Sequence, residues 1–144
     1  MIEQDTVKLL RECDAGVKMG ITSIEDVLDR VEGRAFHGKL TSCKKEHEKL
    51  KESIQAALDR FHDDGKNPNP MAKTMSTVKT NMELMMKPTD ATIASLMTDG
   101  CNMGVKSLSK YLNEYAAADE SAKDVCKKLI AMEEQLAKDL REYL

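Results

Sequence analysis

An all-α fold is predicted for this chain, and two observations predict it. Apolar residues recur at alternating intervals of three and four along four long stretches, which is the spacing of one face of a helix. Glycine and proline number only seven and three in 144 residues, while Leu, Met, Ala, Ile and Val supply most of the apolar content. The length suits a single domain, residues 1–144, whose core needs no disulfide bonds.

The charge and hydropathy patterns exclude several classes of function. The 25 acidic and 22 basic residues are interspersed, so no basic stripe is available to bind a nucleic-acid backbone. The sequence has neither a secretion signal nor a stretch of about eighteen consecutive apolar residues. We therefore expect a soluble, cytoplasmic protein that binds neither nucleic acid nor membranes.

The first helix is predicted over residues 4–32. Asp14 interrupts its apolar face and is interpreted as an edge residue, with Cys13 turned inward as the face drifts around the helix. Gly33 is expected to stop the helix in a left-handed conformation and to lead into a tight hairpin. The apolar face consists of Val7, Leu10, Val17, Ile21, Ile24, Leu28 and Val31.

The second helix, residues 35–62, has the strictest spacing and includes one histidine on its apolar face. That face consists of Phe36, Leu40, Cys43, His47, Leu50, Ile54, Ala57 and Phe61. We expect His47 to be a buried, neutral ring that is hydrogen-bonded within the core, for example to a carboxylate on a facing helix. A metal ligand is the alternative role for this side chain.

A connection with a short helix follows. Residues 67–70 contain two prolines, which preclude a continued helix. His62, Asp63 and Asp64 are interpreted as a solvated helix end, with a metal cluster as the alternative. The short helix, residues 71–86, has an apolar face of Met71, Met75, Val78, Met82 and Met85. We expect these methionines to fill a groove on the chain's own core; copper binding and a partner surface are the alternatives.

A third long helix begins at Thr89 or Asp90, and a fourth begins near Asp119. The apolar face of the third helix consists of Ile93, Met97, Gly100 or Cys101, Gly104, Leu108, Tyr111 and Tyr115. That of the fourth helix consists of Ala122, Val125, Leu129, Met132, Leu136, Leu140 and Tyr143. The glycines at 100 and 104 share a face and are expected to allow close helix approach, or else to leave room for another group. Two helix pairs joined by a crossover describe a four-helix bundle whose second and third long helices run parallel. A simple up-and-down arrangement is the alternative.

One cysteine falls on each predicted long helix: Cys13, Cys43, Cys101 and Cys126. They lie far apart without a Cys-x-x-Cys pair, which argues against a zinc ribbon or a thioredoxin-type motif. We expect small, buried apolar fillers. A redox-sensing pair is the alternative, and spacing alone does not supply the separation that a disulfide needs.

Residues 71–143 resemble a family of small bacterial ferritin-like proteins that is known only as a domain of unknown function. The resemblance is carried by Met75, Lys79, Asp90, Ile93, Leu96, Gly104 and the region from Tyr111 to Tyr115. The first half is similar in helix lengths and turn placement. The resemblance implies a ferritin-like four-helix bundle with one long crossover that contains a short extra helix. It does not specify an activity.

The ligand set of a ferritin-type di-iron centre is incomplete. Such a centre takes a carboxylate from each of two helices and Glu-x-x-His from each of the other two. Lys44 stands three residues before His47, and Leu136 stands three residues after Glu133. We therefore predict no catalytic residue, cofactor site or complete metal site; His47, Glu133 and Cys43 are the candidates if a reduced metal site exists.

Two functions follow from these expectations. The first is a non-catalytic structural or protein-binding module that has lost the di-iron ligand set and carries no cofactor. The alternative is a metal-binding or oxidoreductase protein with a reduced site around His47, so an enzymatic role stays open. Self-association, most simply as a two-fold dimer, is expected from the habit of such bundles, and an unidentified protein partner is also compatible.

Overall fold

The computed structural model describes residues 2–144, without the side chains of Thr74 and Val78, and confirms the all-α prediction. The described residues form five α-helices and no β-strand. The helices are α1 (Ile2–Leu28), α2 (Arg34–Asp59), α3 (Pro70–Met86), α4 (Asp90–Glu114) and α5 (Glu120–Leu140), followed by a 3₁₀ turn at Arg141–Tyr143. None of these helices combines the length and the hydropathy that crossing a membrane requires.

The four long helices form two hairpins that pack on each other. α1 packs most extensively against α2, and α4 against α5, while α1 also contacts both α4 and α5. Asp90, in the first turn of α4, accepts hydrogen bonds from the backbone N–H groups of Glu32 and Gly33 at 2.9 and 2.8 Å. Helices α2 and α4 therefore begin at the same end of the molecule and run parallel. The simple up-and-down alternative is wrong.

The turn of the first hairpin differs from the predicted one. Helix α1 ends at Leu28 rather than at residue 32, and Gly33 has φ −69° instead of a left-handed conformation. Gly33 is the N-cap residue of α2, and a Cβ atom there would lie 2.9 Å from Asp90 Oδ2. Glycine suits this position because the Asp90 carboxylate approaches the backbone closely.

Asp14 anchors the connection between α2 and α3. Its side chain is fully buried, so the expectation of an edge residue is wrong. Asp14 Oδ2 accepts hydrogen bonds from Lys18 Nζ at 2.7 Å and from the backbone N–H of Lys66 at 2.9 Å. Gly65 has φ +92°, and a Cβ atom there would overlap the same carboxylate oxygen. Asp14 can be buried because its carboxylate accepts hydrogen bonds from the Lys66 backbone in the connection and from the ammonium group of Lys18 on its own helix.

Helix α3 turns its methionines away from the rest of the protein, so the expectation that they fill a groove on the core is wrong. The side chain of Val78 lies outside the described part of the structure. The exposed methionines of α3 are Met71, Met75, Met82, Met85 and Met86.

A different stripe of α3 faces the body of the protein. Thr77 Oγ1 donates to Asp26 Oδ2 at 3.4 Å, and Arg30 Nη2 donates to Asn81 Oδ1 at 3.2 Å. Leu84 is the buried apolar residue of this stripe. The end of α1 presents charged partners to α3, so the polar stripe docks there and the methionine face is left outside.

The core consists of two apolar halves. One half contains residues such as Leu9, Leu50, Leu108 and Leu129, and the other contains Ile24, Leu40, Ile93 and Leu136. On α2 the buried face follows the predicted spacing from Phe36 to Ile54 and then ends at Leu58, while Ala57 and Phe61 are only half-buried. The two halves meet at His47 and Glu133, which are buried between them.

Candidate functional site

One residue from each long helix contributes to a polar level between the two halves of the core. The four residues are Gly20 on α1, His47 on α2, Gly104 on α4 and Glu133 on α5. The residues three or four positions before and after them are buried and apolar: Val17 and Ile24, Cys43 and Leu50, Cys101 and Leu108, and Leu129 and Leu136. The level is thus a polar step at which the two halves of the core meet, flanked on all four helices by buried apolar residues.

His47 makes a hydrogen bond at each ring nitrogen. His47 Nε2 lies 2.8 Å from Glu133 Oε1, and Nδ1 lies 2.8 Å from the carbonyl oxygen of Cys43. A carbonyl oxygen only accepts, so Nδ1 carries a hydrogen and donates it, and a further proton lies between Nε2 and the Glu133 carboxyl group. The predicted hydrogen bond between a buried His47 and a carboxylate on a facing helix is confirmed.

The surroundings of His47 favour the charged form of its ring. Burial by itself lowers the pKa of His47, because the imidazolium loses its hydration. Hydrogen bonds with the side chains of Cys43 and Glu133 outweigh burial and raise the pKa of His47 to about 10. The raised pKa favours a charged ring at neutral pH, in contrast to the neutral ring expected from the sequence.

Gly20 makes room for the His47 ring, and Gly104 lies in ordinary contact distance of Glu133. A Cβ atom at Gly20 would lie 2.9 Å from His47 Cδ2 and 3.1 Å from His47 Nε2. A Cβ atom at Gly104 would lie 3.7 Å from Glu133 Cγ. Gly100 is exposed, and a Cβ atom there would have no neighbour within 4 Å. The prediction that Gly100 faces another helix together with Gly104 is therefore wrong. Gly20 was not predicted as a site residue, although its place on the apolar face level with His47 is a signal in the sequence.

Two thiols flank the pair. Cys43 Sγ lies 3.5 Å from His47 Nδ1, so the three candidates His47, Glu133 and Cys43 are brought together. Cys101 on α4 joins them, and burial together with the negative charge of Glu133 raises the pKa of its thiol. A thiol held protonated is a weak metal ligand and a weak nucleophile. Cys101 was predicted only as a filler; its position one turn before Gly104 is the signal that places it here.

The remaining cysteines lie in the other half of the core. The hydrogen bond with Cys126, together with burial, raises the pKa of Cys13. All four cysteines are free and buried, which confirms the expectation that they are buried. The alternative of a redox-sensing pair stays a prediction.

The predicted metal ligands are engaged in other contacts. Among residues 2–144, no three His, Cys, Asp or Glu side chains are grouped to hold a metal ion. At the end of α2, where a metal cluster of His62, Asp63 and Asp64 was the alternative, Arg11 Nη1 donates to Asp63 Oδ1 at 2.8 Å, while His62 and Asp64 are exposed. At the polar level, both nitrogens of His47 are occupied by hydrogen bonds.

Fold and site together define an all-helical protein with a charged histidine–carboxylate pair at its centre. Comparisons of the chain with protein-family models, with curated proteins and with solved structures found no match. The resemblance to a ferritin-like family therefore stays a prediction from the residues.

The contact between Gly20 and His47 predicts an unequal effect of two glycine substitutions. Gly20→Ala should lower the free energy of unfolding by about 1–3 kcal/mol, because the new Cβ displaces the imidazole from Glu133. Gly100→Ala is the matched control and should raise it by about 0.5–1 kcal/mol, because the site is open and helix propensity improves. Urea denaturation of both variants measures the difference; equal stabilisation by both would contradict the packing described here.

A double-mutant cycle tests the pair itself. His47→Leu leaves the Glu133 carboxylate buried without its partner and should cost about 3–5 kcal/mol, and Glu133→Leu should cost a similar amount. The double variant should recover most of that loss, because no uncompensated charge remains. Chemical denaturation of the wild type and the three variants gives the coupling energy. Additive losses would show that the two side chains do not interact.

The raised pKa of His47 predicts a pH dependence of stability. The imidazolium stabilises the folded state fully below the ordinary histidine pKa of 6.5, and this contribution is lost as the pH rises towards about 10. The free energy of unfolding should therefore fall more steeply between these values in the wild type than in the His47→Leu/Glu133→Leu variant. Denaturation series at several pH values measure both slopes, and parallel slopes would contradict the assignment.

Proposed function

We propose that this chain is a cytoplasmic, ferritin-like helical bundle that acts as a non-catalytic structural or protein-binding module and carries no cofactor. The observation that carries the proposal is the hydrogen bond between His47 Nε2 and Glu133 Oε1 at the central level. In di-iron proteins of the ferritin type, inward-facing carboxylates and histidines at such a level bind the metal. Here the histidine and the carboxylate bind each other.

The other positions of the level support the same conclusion. Gly20 and Gly104 supply no donor atom, and a side chain at Gly20 would overlap the His47 ring. Lys44 lies three residues before His47, where a ferritin-type motif has a glutamate, and its Nζ is 3.8 Å from Glu48 Oε1 towards the surface. The level is built to hold one internal ion pair rather than a cation.

The binding role is supported by the outer surface of α3. A large exposed apolar surface on a protein of this size is typical of an interaction site. Methionine side chains are flexible and polarisable, and they adapt to the shape of a partner. The central pair lies inside the helical body, and α3 supplies the surface for binding.

A second candidate function starts from the contacts of His47 with Cys43 and Glu133, although these side chains are not grouped to hold a metal ion in the described part of the structure. His47, Glu133, Cys43 and Cys101 lie at or next to one level of the core. A metal that displaced the proton from His47 and ionised a thiol would convert this cluster into the reduced site anticipated as the alternative. The two candidate functions predict opposite metal contents.

Elemental analysis of tag-free protein purified without chelator distinguishes them. We expect only trace iron, manganese, zinc and copper per chain, in the wild type and in the His47→Leu/Glu133→Leu variant alike. The exposed His37 on α2 provides the control variant His37→Leu. A near-integer metal content that is lost in the double variant and kept in His37→Leu would overturn the proposal and establish the metal-binding alternative.

A further inference from the structure

The segment that contains α3 is fixed to the body at both of its ends. Before the helix, the backbone N–H of Lys66 donates to Asp14 Oδ2 at 2.9 Å. After the helix, Asp90 accepts a hydrogen bond of 2.8 Å from the backbone N–H of Gly33. Residues 67–89 lie between these two points and contain all three prolines of the chain. Because proline interrupts a helix, this segment is continuous with neither α2 nor α4.

Between its fixed ends, α3 is held to the body by long polar contacts. Thr77 Oγ1 donates to a carboxylate of α1 at 3.4 Å, whereas a hydroxyl donor usually lies about 2.8 Å from its acceptor. Arg30 Nη2 donates to Asn81 Oδ1 at 3.2 Å. Lys79 Nζ lies 3.8 Å from Asp99 Oδ2, and these side chains are 59 % and 61 % exposed. Exposed ion pairs contribute little to stability, so these contacts hold α3 less firmly than the hydrogen bonds at its ends.

Leu84 is the apolar anchor of α3. Its side chain is 3 % exposed and belongs to the buried cluster that contains Ile93, Ala94 and Met97 of α4. No other α3 side chain that the structure describes is buried, whereas each of the four long helices buries five or more residues. The apolar docking of α3 in the described part of the structure therefore depends on one residue near its carboxyl end.

The sequence of α3 forms only a marginal helix on its own. Its 17 residues include three threonines, one serine and one asparagine, which have low helix propensity. Helices of about this length depend in water on packing against the rest of a protein rather than on propensity. When α3 leaves the body, it therefore loses its helical hydrogen bonds as well.

We propose that residues 67–89 form a hinged strap that opens by local unfolding of α3, with Lys66 and Asp90 as its fixed ends, while the four long helices stay folded. Opening uncovers the apolar surface of α4 against which Leu84 packs. The body can then present a surface that the closed form hides, and it keeps its own core. This inference goes beyond the proposed function and does not depend on it.

Hydrogen–deuterium exchange of the whole chain, measured by mass spectrometry, tests the proposal. The backbone amides of residues 74–86 should exchange at least about 100-fold faster than those in the middle of α2, because opening α3 costs less free energy than unfolding the protein. Equal protection of α3 and α2 would overturn the proposal.

Two leucine substitutions separate local opening from global unfolding. Leu84→Ala removes the apolar anchor and should accelerate the exchange of α3 about 30-fold or more, while α2 and α5 stay unchanged. Leu50→Ala is the matched control, because Leu50 is 4 % exposed but lies on α2 in the other half of the core. It should accelerate the slowest amides of the long helices and leave α3 unchanged. If each variant accelerates all five helices alike, α3 exchanges only by global unfolding and the strap is refuted.

Limited digestion with trypsin gives an independent measurement. The first cuts should fall after Lys73 or Lys79, because a protease cleaves the locally unfolded form. Lys45 and Lys51 on α2 are exposed as well and serve as the internal control. First cuts at these lysines would contradict the proposal. Neither measurement uses the metal content that tests the proposed function, so the two proposals fail separately.

Discussion

The hydrogen bond between His47 and Glu133 is the constraint on which the interior depends. An ion pair that is buried between two apolar halves loses its hydration. The attraction between the two charges compensates for this loss only when their geometry is good, and the removal of one partner leaves a buried charge with no compensation. The absence of a side chain at Gly20 allows that geometry. A slip of α5 along α2 by one turn would place both charges against apolar residues, so the pair also specifies the axial register of the helices.

Two further carboxylates hold the ends of the long connection in which α3 lies. Asp14 binds the backbone of Lys66 shortly after α2, and Asp90 binds the backbone of Gly33 at the start of α4. Both interactions join parts of the chain more than fifty residues apart in sequence. Because its two ends are fixed in this way, α3 needs few apolar contacts of its own with the body. A helix positioned by polar contacts can keep its methionines outside.

Local periodicity predicts a large part of this structure and fails where partners are distant in sequence. The spacing of apolar residues indicates the four long helices, and it places His47 in the core opposite a carboxylate, because helical facing is a property of neighbouring residues. The burial of Asp14 and the outward turn of the α3 methionines depend instead on polar groups in other parts of the chain. The charge of His47 likewise depends on acceptors at both nitrogens, which only the assembled core supplies. Gly20 and Cys101 could have been predicted from the same spacing, since Gly20 falls level with His47 and Cys101 lies one turn before Gly104.

The exposed methionines of α3 have a chemical consequence. Thioether sulfur is oxidised by peroxide to the sulfoxide, which is polar and chiral, and accessibility governs which residues react. The methionines of α3 are exposed, whereas Met97 and the four cysteine thiols are buried in the core. An oxidant therefore modifies the outer face of α3, together with the exposed Met103 on α4, while the interior stays reduced. The surface best suited to hold a partner is also the part of the molecule whose affinity oxidative chemistry would change first.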